Sequence, residues 1–245
     1  MNDLSVELNN SSTGCFLNNV CTNHLFYADD ICLLAPSSSA LQKLLNICFS
    51  YGIEHDIVFN SSKSFHLVFK PRNCTYILPR VYLNSVMLPL VNETKYLGVI
   101  LDNNLCDDVE IKNQYCRLYA RSNTILRKFK HCTLEVKKQL FLSYCTNFYC
   151  SALWSNFKQV PFKKARVAYN NVFRSLFKYN RRSSASAMFV NHNVFNFDAL
   201  LRKCSYDFRS RLFKSHNSVL IAIRSSFYVR NNAIFNRWND ILYTF

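Results

Sequence analysis

The stretch that most constrains this chain is residues 24–34, His-Leu-Phe-Tyr-Ala-Asp-Asp-Ile-Cys-Leu-Leu, in which two short apolar runs flank a pair of aspartates. Short runs rich in aromatic and branched residues predict β-strands, and two such runs that meet at a tight turn predict a β-hairpin. We therefore expect Asp29 and Asp30 at the tip of a hairpin. Because neighbouring carboxylates repel each other, a site that holds both favours a hard divalent cation such as Mg²⁺, which prefers oxygen ligands.

Two interpretations of this pair are open. Asp-Asp pairs are common in solvated turns, where they bind nothing. Paired carboxylates are also ligands in nucleotidyl-transfer sites, where two metal ions about 4 Å apart bind the attacking and leaving oxygens. With apolar residues on both sides, Tyr27-Ala28-Asp29-Asp30 resembles the active-site hairpin of reverse transcriptases, in particular those of non-LTR (LINE-like) retrotransposons.

This resemblance implies an RNA-directed DNA polymerase, a nucleotidyltransferase that uses two Mg²⁺ or Mn²⁺ ions and binds an RNA template and a DNA primer. It implies that Asp29 ligates the metal ions and that Asp30 supports the metal site. It also implies that Tyr27 and Ala28 form the floor under the primer terminus.

Two later motifs lie in the order that the resembled family shows. Asn60-Ser61-Ser62-Lys63 resembles an Asn-x-x-Lys motif, which implies that Lys63 neutralises or protonates the leaving pyrophosphate. The alternative is a solvated turn residue. Tyr96-Leu97-Gly98 resembles the primer grip, which directs the primer 3′ end toward the metals, and the alternative is an amphipathic strand with a glycine bulge.

One expected ligand has no match in the chain. The family uses a further aspartate on a strand that precedes the hairpin, whereas the only acidic residues before the hairpin are Asp3 and Glu7, in a predicted helical segment. We therefore expect the chain to start inside the family's domain, to bind metal poorly and to have little or no polymerase activity alone. A palm sheet without that strand would expose an apolar edge, through which it could pair with another chain.

The charge distribution points to a polyanionic partner. Residues 1–106 hold 6 Lys/Arg against 8 Asp/Glu, residues 107–160 hold 9 against 4, and residues 161–245 hold 15 against 3. A basic region of this kind favours nucleic acid, with contacts mainly to phosphates, although many solvated basic helices bind nothing. A non-enzymatic RNA- or DNA-binding remnant is therefore the alternative to the polymerase fragment. An unrelated helical interaction protein is a third possibility.

Composition excludes several other classes. Only three glycines occur, so a glycine-rich phosphate loop is not expected. The 11 cysteines form no C-x-x-C pair, so neither a zinc module nor a disulfide framework is indicated, and free thiols fit the cytoplasm or nucleus better than secretion. No uncharged apolar run is long enough to predict membrane insertion. No endonuclease domain is recognisable in these residues.

The resemblance and the hydrophobic pattern together predict an α+β fold in three parts: a partial reverse-transcriptase palm with an antiparallel sheet and a helix, then an all-helical thumb, then a basic helical region. The predicted boundaries are 1–106, 107–160 and 161–245. Aromatic residues of the third part could stack on bases, but their helical spacing is more typical of a core.

Individual elements follow from spacing, caps and turn residues. A helical turn is predicted around Leu4 and Leu8, and a helix from Thr133 to about Trp154. Predicted strands are 15–18 paired with 25–29, then 31–34, 56–60, 65–69, 81–83 and 86–90, the last two joined at Asn84-Ser85. Further predicted helices are 40–51, one beginning at Asp107, 162–180, 185–190 and 197–213, and the pattern from Ser215 onward is weak.

Overall fold

Helices dominate the second half of this chain and short hairpins the first. In the computed structural model, the described residues, 2–69, 79–225 and 233–243, form nine α-helices and ten short strands. The fold is mixed α and β, and 56% of the described residues are helical. Contacts divide the chain into two compact units: unit one is Met1–Asn92 with Ser215–Val229, and unit two is Glu93–Lys214 with Arg230–Phe245. The predicted three-part division stays a prediction.

The described residues of unit one form three α-helices and four pairs of strands. Its helices are α1 (Asn2–Asn10), α2 (Ser38–Glu54) and α8 (Ser218–Ser225). Its strands are β1 (Cys15–Leu17), β2 (Val20–Thr22), β3 (His24–Tyr27), β4 (Asp30–Leu33), β5 (His66–Leu67), β6 (Tyr82–Leu83), β7 (Val86–Met87) and β8 (Leu90–Val91). The pairs are β1–β2, β3–β4, β6–β7 and the parallel pair β5–β8.

The core of unit one lies between α1, α2 and the β3–β4 hairpin. Leu4, Leu8 and Leu44 are fully buried there, and Phe26 and Ile31 of the hairpin pack against them. Burying a leucine side chain contributes about 1.5–3 kcal/mol. The predicted helical turn around Leu4 and Leu8 and the predicted helix over 40–51 are therefore confirmed, with α2 extending a few residues further at each end.

Two predictions about unit one are wrong. β1 pairs with β2 rather than with residues 25–29, because Asn18 and Asn19 both have positive φ, the conformation of a type I′ hairpin turn. Residues 56–60, predicted as a strand, form none, and the backbone N–H of Ile57 instead donates to the carbonyl of Gly52 at 2.8 Å. The predicted antiparallel pairing is present in part, since three of the four described ladders of unit one are antiparallel, but each ladder is only two-stranded.

The predicted hairpin around Asn84-Ser85 is confirmed. Tyr82 pairs with Met87 and Leu83 with Val86, and both loop residues have positive φ. The ladder is shorter than predicted: beyond the Tyr82–Met87 pair, the backbone N–H of Leu88 still donates to the carbonyl of Val81 at 2.9 Å, and the chain from Leu90 pairs with β5 instead. Asparagine tolerates positive φ better than most residues, which explains why the turn could be predicted here.

Unit two begins with one hairpin and is helical thereafter in its described residues. The strands are β9 (Glu93–Tyr96) and β10 (Val99–Asp102). The helices are α3 (Asp108–Lys128), α4 (Leu134–Tyr144), α5 (Gln159–Phe177), α6 (Ala185–Asn191), α7 (Phe197–Lys214) and α9 (Ala233–Tyr243). Most of the predicted helices are present. Of the 215–245 segment, residues 226–232, 244 and 245 lie outside the described residues.

The core of unit two is aromatic. Phe141 of α4 lies against Phe173 of α5 with ring centroids 5.0 Å apart at 86°, and Tyr169 stacks on Phe189 at 5.4 Å. Edge-to-face and offset pairs of this kind add about 0.5–1.5 kcal/mol each beyond simple burial. Of the two interpretations of the aromatics in α5, the core interpretation is confirmed, because Phe162, Tyr169 and Phe173 are all buried.

The helix predicted from Thr133 to Trp154 is too long. Its start is confirmed, since the Thr133 hydroxyl accepts from the backbone N–H of Val136, but α4 ends at Tyr144. The chain then turns, with Cys150 in a left-handed conformation (φ 56°), and places Phe148 and Trp154 in the core. Burial of two large aromatic side chains outweighs the local preference for continuing the helix.

Candidate functional site

The two aspartates lie where the sequence predicts, at the tip of the β3–β4 hairpin. Tyr27 is the register partner of Asp30, so Ala28 and Asp29 form a two-residue turn between the strands. Ala28 has φ 53°, a left-handed conformation that non-glycine residues adopt at a cost. All four residues are exposed, and Tyr27 retains 63% of its accessible surface. The turn therefore presents both carboxylates to solvent on a strained backbone.

One face of this hairpin is anchored and the other is open. Phe26 and Ile31, which are register partners, pack toward α1 and α2. On the other face Leu25 retains 41% of its surface beside Tyr27. Among the described residues β3 and β4 pair only with each other, so each has an unpaired outer edge.

The base of the hairpin is held by a polar network that the sequence did not reveal. Asn23, only 1% exposed, donates through Nδ2 to the carbonyl oxygens of Leu8 at 2.7 Å and Thr13 at 2.9 Å. Its Oδ1 lies 2.7 Å from Nδ1 of His24, whose Nε2 lies 2.7 Å from Oγ of Ser5. The network therefore joins α1 directly to the first residue of the β3–β4 hairpin.

Gly14 makes room for this network. A Cβ atom at Gly14 would lie 2.3 Å from Cβ of Asn23, and its φ of +146° suits glycine alone. The chain contains only three glycines. This scarcity is the one signal in the sequence that could have indicated a structural requirement for glycine at position 14.

The described residues do not complete a metal centre at the tip. Neither Asp29 nor Asp30 forms an ion pair or a side-chain hydrogen bond with another described residue. Across residues 2–69, 79–225 and 233–243, no three His, Cys, Asp or Glu side chains are grouped closely enough to hold a metal ion. Two exposed carboxylates are fewer ligands than a two-metal site needs. We therefore assign no chemical step to a metal in this chain.

Lys63 lies on a short 3₁₀ turn, Ser61–Lys63, that Asn60 caps. Oδ1 of Asn60 accepts from the backbone N–H of Lys63 at 3.2 Å and from Oγ of Ser62 at 2.7 Å. The Lys63 side chain is exposed and has no ion-pair partner in the described part of the chain. The local role of Asn60 is thus a cap, and the catalytic role of Lys63 stays a prediction.

Tyr96-Leu97-Gly98 lies in unit two, at the turn between β9 and β10. Leu97 (φ 46°) and Gly98 (φ 85°) form the two-residue loop, so the segment is a tight hairpin rather than a strand with a bulge. The buried carboxylate of Glu110 on α3 accepts from the backbone N–H of Ile100 at 3.0 Å. This contact fixes the hairpin to α3, and its role toward a primer stays a prediction.

Part of the chain is similar to an RNA-directed DNA polymerase of a mobile element. The particular relative is the RNA-directed DNA polymerase from mobile element jockey of Drosophila funebris, which is 34% identical over 85 residues. The match covers 32% of this chain and 9% of that polymerase. No family model matches the chain, and no solved structure matches it.

Within the described residues, no helix is both long and apolar enough to cross a membrane.

Proposed function

We propose that this chain is part of the RNA-directed DNA polymerase of a non-LTR retrotransposon. The observation that carries the proposal is the exposed Tyr27-Ala28-Asp29-Asp30 turn, held at its base by Asn23. The 85-residue similarity to the jockey polymerase supports the same family. In this proposal residues 1–106 are part of the palm, 107–160 correspond to the thumb, and 161–245 form a basic helical extension.

We further propose that the isolated chain does not polymerise. In the complete enzyme, two Mg²⁺ or Mn²⁺ ions would stabilise the charge on the attacking and leaving oxygens. Asp29 and Asp30 would supply part of the metal site, Lys63 would act at the leaving pyrophosphate, and Tyr96, Leu97 and Gly98 would direct the primer. The lack of a third grouped ligand in the described residues supports inactivity of this chain.

The second candidate function is non-enzymatic binding of RNA or DNA through the basic helical region. The charge of residues 161–245, 15 Lys/Arg against 3 Asp/Glu, favours it. Contacts to backbone phosphates would not be sequence-specific.

Ten of the cysteines are free in the described residues, as in proteins of a reducing compartment such as the cytoplasm or nucleus.

The open edges of β3 and β4 support one further element of the proposal. Unpaired strand edges beside exposed apolar side chains such as Leu25 favour addition of another strand. In the proposed polymerase this strand would come from the rest of the palm or from another chain.

Primer extension on an RNA template, together with binding of the same RNA–DNA hybrid, tests both candidates. We expect no extension with Mg²⁺ or Mn²⁺, and binding that weakens steeply from about 50 to about 300 mM KCl. Asp29→Asn should leave binding unchanged. Extension that Asp29→Asn abolishes would show an active polymerase and contradict the inactivity proposed here. A chain that does not bind the hybrid would contradict the second candidate.

The genomic sequence upstream of the first codon provides an independent test of the family. An open reading frame that supplies an aspartate-bearing strand would support the polymerase. A stop codon or unrelated sequence close upstream would leave only the binding function to assay.

A further inference from the structure

The C-terminal end of α5 and the loop after it form a cavity of about 420 Å³. Three of its lining residues are cationic and three are polar: Arg174, Lys178, Arg181, Asn171, Ser175 and Tyr179. No Asp or Glu occurs between residues 159 and 197. None of the three cations forms an ion pair with another residue in the described part of the chain. The cavity therefore concentrates positive charge that no carboxylate neutralises.

The walls of the cavity are fixed by hydrogen bonds. Lys178 ends α5 in a left-handed conformation (φ 57°), and the backbone N–H of Tyr179 donates to the carbonyl of Arg174 at 3.0 Å. Arg174 itself donates to Oδ1 of Asn171 at 3.3 Å and to the carbonyl of Ser183 at 3.2 Å. Because these contacts order the loop, a ligand would not have to do so.

Several donors in this cavity remain free. Nε of Arg174 has no hydrogen-bond partner but is enclosed by the protein, so the available donors are on other residues. Ser175, Lys178 and Arg181 are exposed, and their side chains form no hydrogen bond with another described residue. A group that accepts several hydrogen bonds and carries negative charge fits this set of donors.

The helix terminus itself opposes an anion. A helix C-terminus carries the equivalent of about −0.5 charge, which favours cations and could account for basic residues there. Three full positive charges exceed that partial charge, so the net potential of the cavity is positive. Repulsion among the three cations is relieved when an anion binds between them.

We propose that this cavity is a phosphate-binding site. The phosphate would be a phosphodiester of an RNA or DNA backbone, which rests on the proposed function, or a free phosphate such as pyrophosphate. Planar guanidinium groups pair well with phosphate oxygens, and lysine adds a point charge. Arg174 would orient the site, and Lys178 and Arg181 would contact the phosphate.

Two double variants with the same change in net charge test the proposal. Lys178→Gly with Arg181→Gln removes two cations from the cavity, and glycine suits the left-handed backbone at 178. Lys163→Gln with Lys164→Gln removes two exposed cations near the start of the same helix. Circular dichroism confirms that both full-length variants fold. Fluorescence anisotropy measures binding of a labelled RNA–DNA hybrid, and thermal unfolding measures the response to pyrophosphate.

We expect the cavity variant to lose about tenfold or more in hybrid affinity at about 100 mM KCl, and the surface variant less than about threefold. We also expect pyrophosphate to raise the unfolding temperature of the wild type and the surface variant, but not of the cavity variant. Equal losses in the two variants would overturn the site. If the wild type responds to pyrophosphate through the cavity but does not bind the hybrid, the phosphate site stands and the proposed nucleic-acid function is wrong. A wild type that responds to neither probe overturns both.

Discussion

The side-chain amide of Asn23 donates a hydrogen bond of 2.7 Å to the carbonyl oxygen of Leu8, at the end of α1. The same nitrogen also donates to the carbonyl of Thr13 at 2.9 Å. Both carbonyls belong to the segment in which α1 ends and the chain turns toward β1. A single buried side chain thus satisfies two backbone groups and sets the position of the β3–β4 hairpin relative to α1.

Replacement of Asn23 should destabilise unit one. Asn23→Ala leaves the carbonyl of Thr13 without its donor and removes one of the two donors of the Leu8 carbonyl, which keeps the Oγ of Ser11 at 2.7 Å. We expect a loss of about 1–3 kcal/mol in the free energy of unfolding. Urea unfolding followed by circular dichroism measures it. Asn9→Ala, at an exposed position in α1, is the matched control and should change the stability by less than about 0.5 kcal/mol. Similar effects of the two substitutions would contradict the role given to Asn23.

Gly14 should not tolerate a side chain. Gly14→Ala places Cβ 2.3 Å from Cβ of Asn23 on a backbone with φ +146°, so both steric overlap and backbone strain oppose it. We expect a loss of about 2 kcal/mol or more, seen as a lower thermal midpoint. Ser50→Ala, at an exposed site in α2, should be neutral. An unchanged midpoint for Gly14→Ala would mean that the segment between α1 and β1 is not held as described.

Stability should decline in mild acid because of His24. Burial lowers the pKa of His24, so the folded chain holds the imidazole neutral at pH values where the unfolded chain, with a pKa of about 6.5, takes up a proton. The contribution is therefore present above about pH 6.5 and is lost as the pH falls toward the folded pKa. His66, whose pKa burial also lowers, acts in the same direction.

Urea midpoints between about pH 7.5 and about pH 5 separate the two histidines. The midpoint of His24→Gln should depend less on pH in this window than that of the wild type. The slope that remains should reflect His66 and the carboxylates. If the two proteins show the same slope, His24 does not titrate as its burial indicates.

The start of α4 should depend on the hydroxyl of Thr133. This oxygen accepts from the backbone N–H of Val136, which would otherwise lack an intrahelical partner. We expect Thr133→Ala to cost about 1 kcal/mol, measured by chemical unfolding, and Thr133→Ser to cost much less because it keeps the oxygen. Equal losses from the two substitutions would show that the methyl group, not the cap, contributes the stability.

The acidic hairpin, the Asn84-Ser85 turn and most helices could be predicted because their signals are local. Apolar spacing, caps and residues that accept positive φ determine such elements within a few positions. Asn23 could not be predicted, because its partner Leu8 is 15 residues away and an asparagine before a strand is typical of an exposed turn. The end of α4 could not be predicted for a similar reason, since burial of Phe148 and Trp154 in the core determines where the helix stops.

The candidate site could be predicted in part. The position of Asp29 in a turn follows from sequence, and so does the exposure of the aspartate pair. The capping role of Asn60 and the buried contact between Glu110 and Ile100 are evident only in the structure, because both depend on backbone groups whose directions sequence does not specify. The cationic cavity is likewise evident only in the structure, since Arg181 lines it together with Arg174 only because the chain turns after α5 ends at Phe177.

The position of helix α8 in the sequence affects how unit one folds during synthesis. It packs against β1 and β2, and Nδ2 of Asn18 donates to the carbonyl of Ala222 at 3.2 Å. The two residues are separated by 204 positions. Synthesis proceeds from the N-terminus at about 5–20 residues per second. About ten seconds or more therefore pass between synthesis of the β1–β2 hairpin and synthesis of α8, which packs against it. During that interval Phe16, still 59% exposed in the finished fold, is open to chaperones or to neighbouring nascent chains.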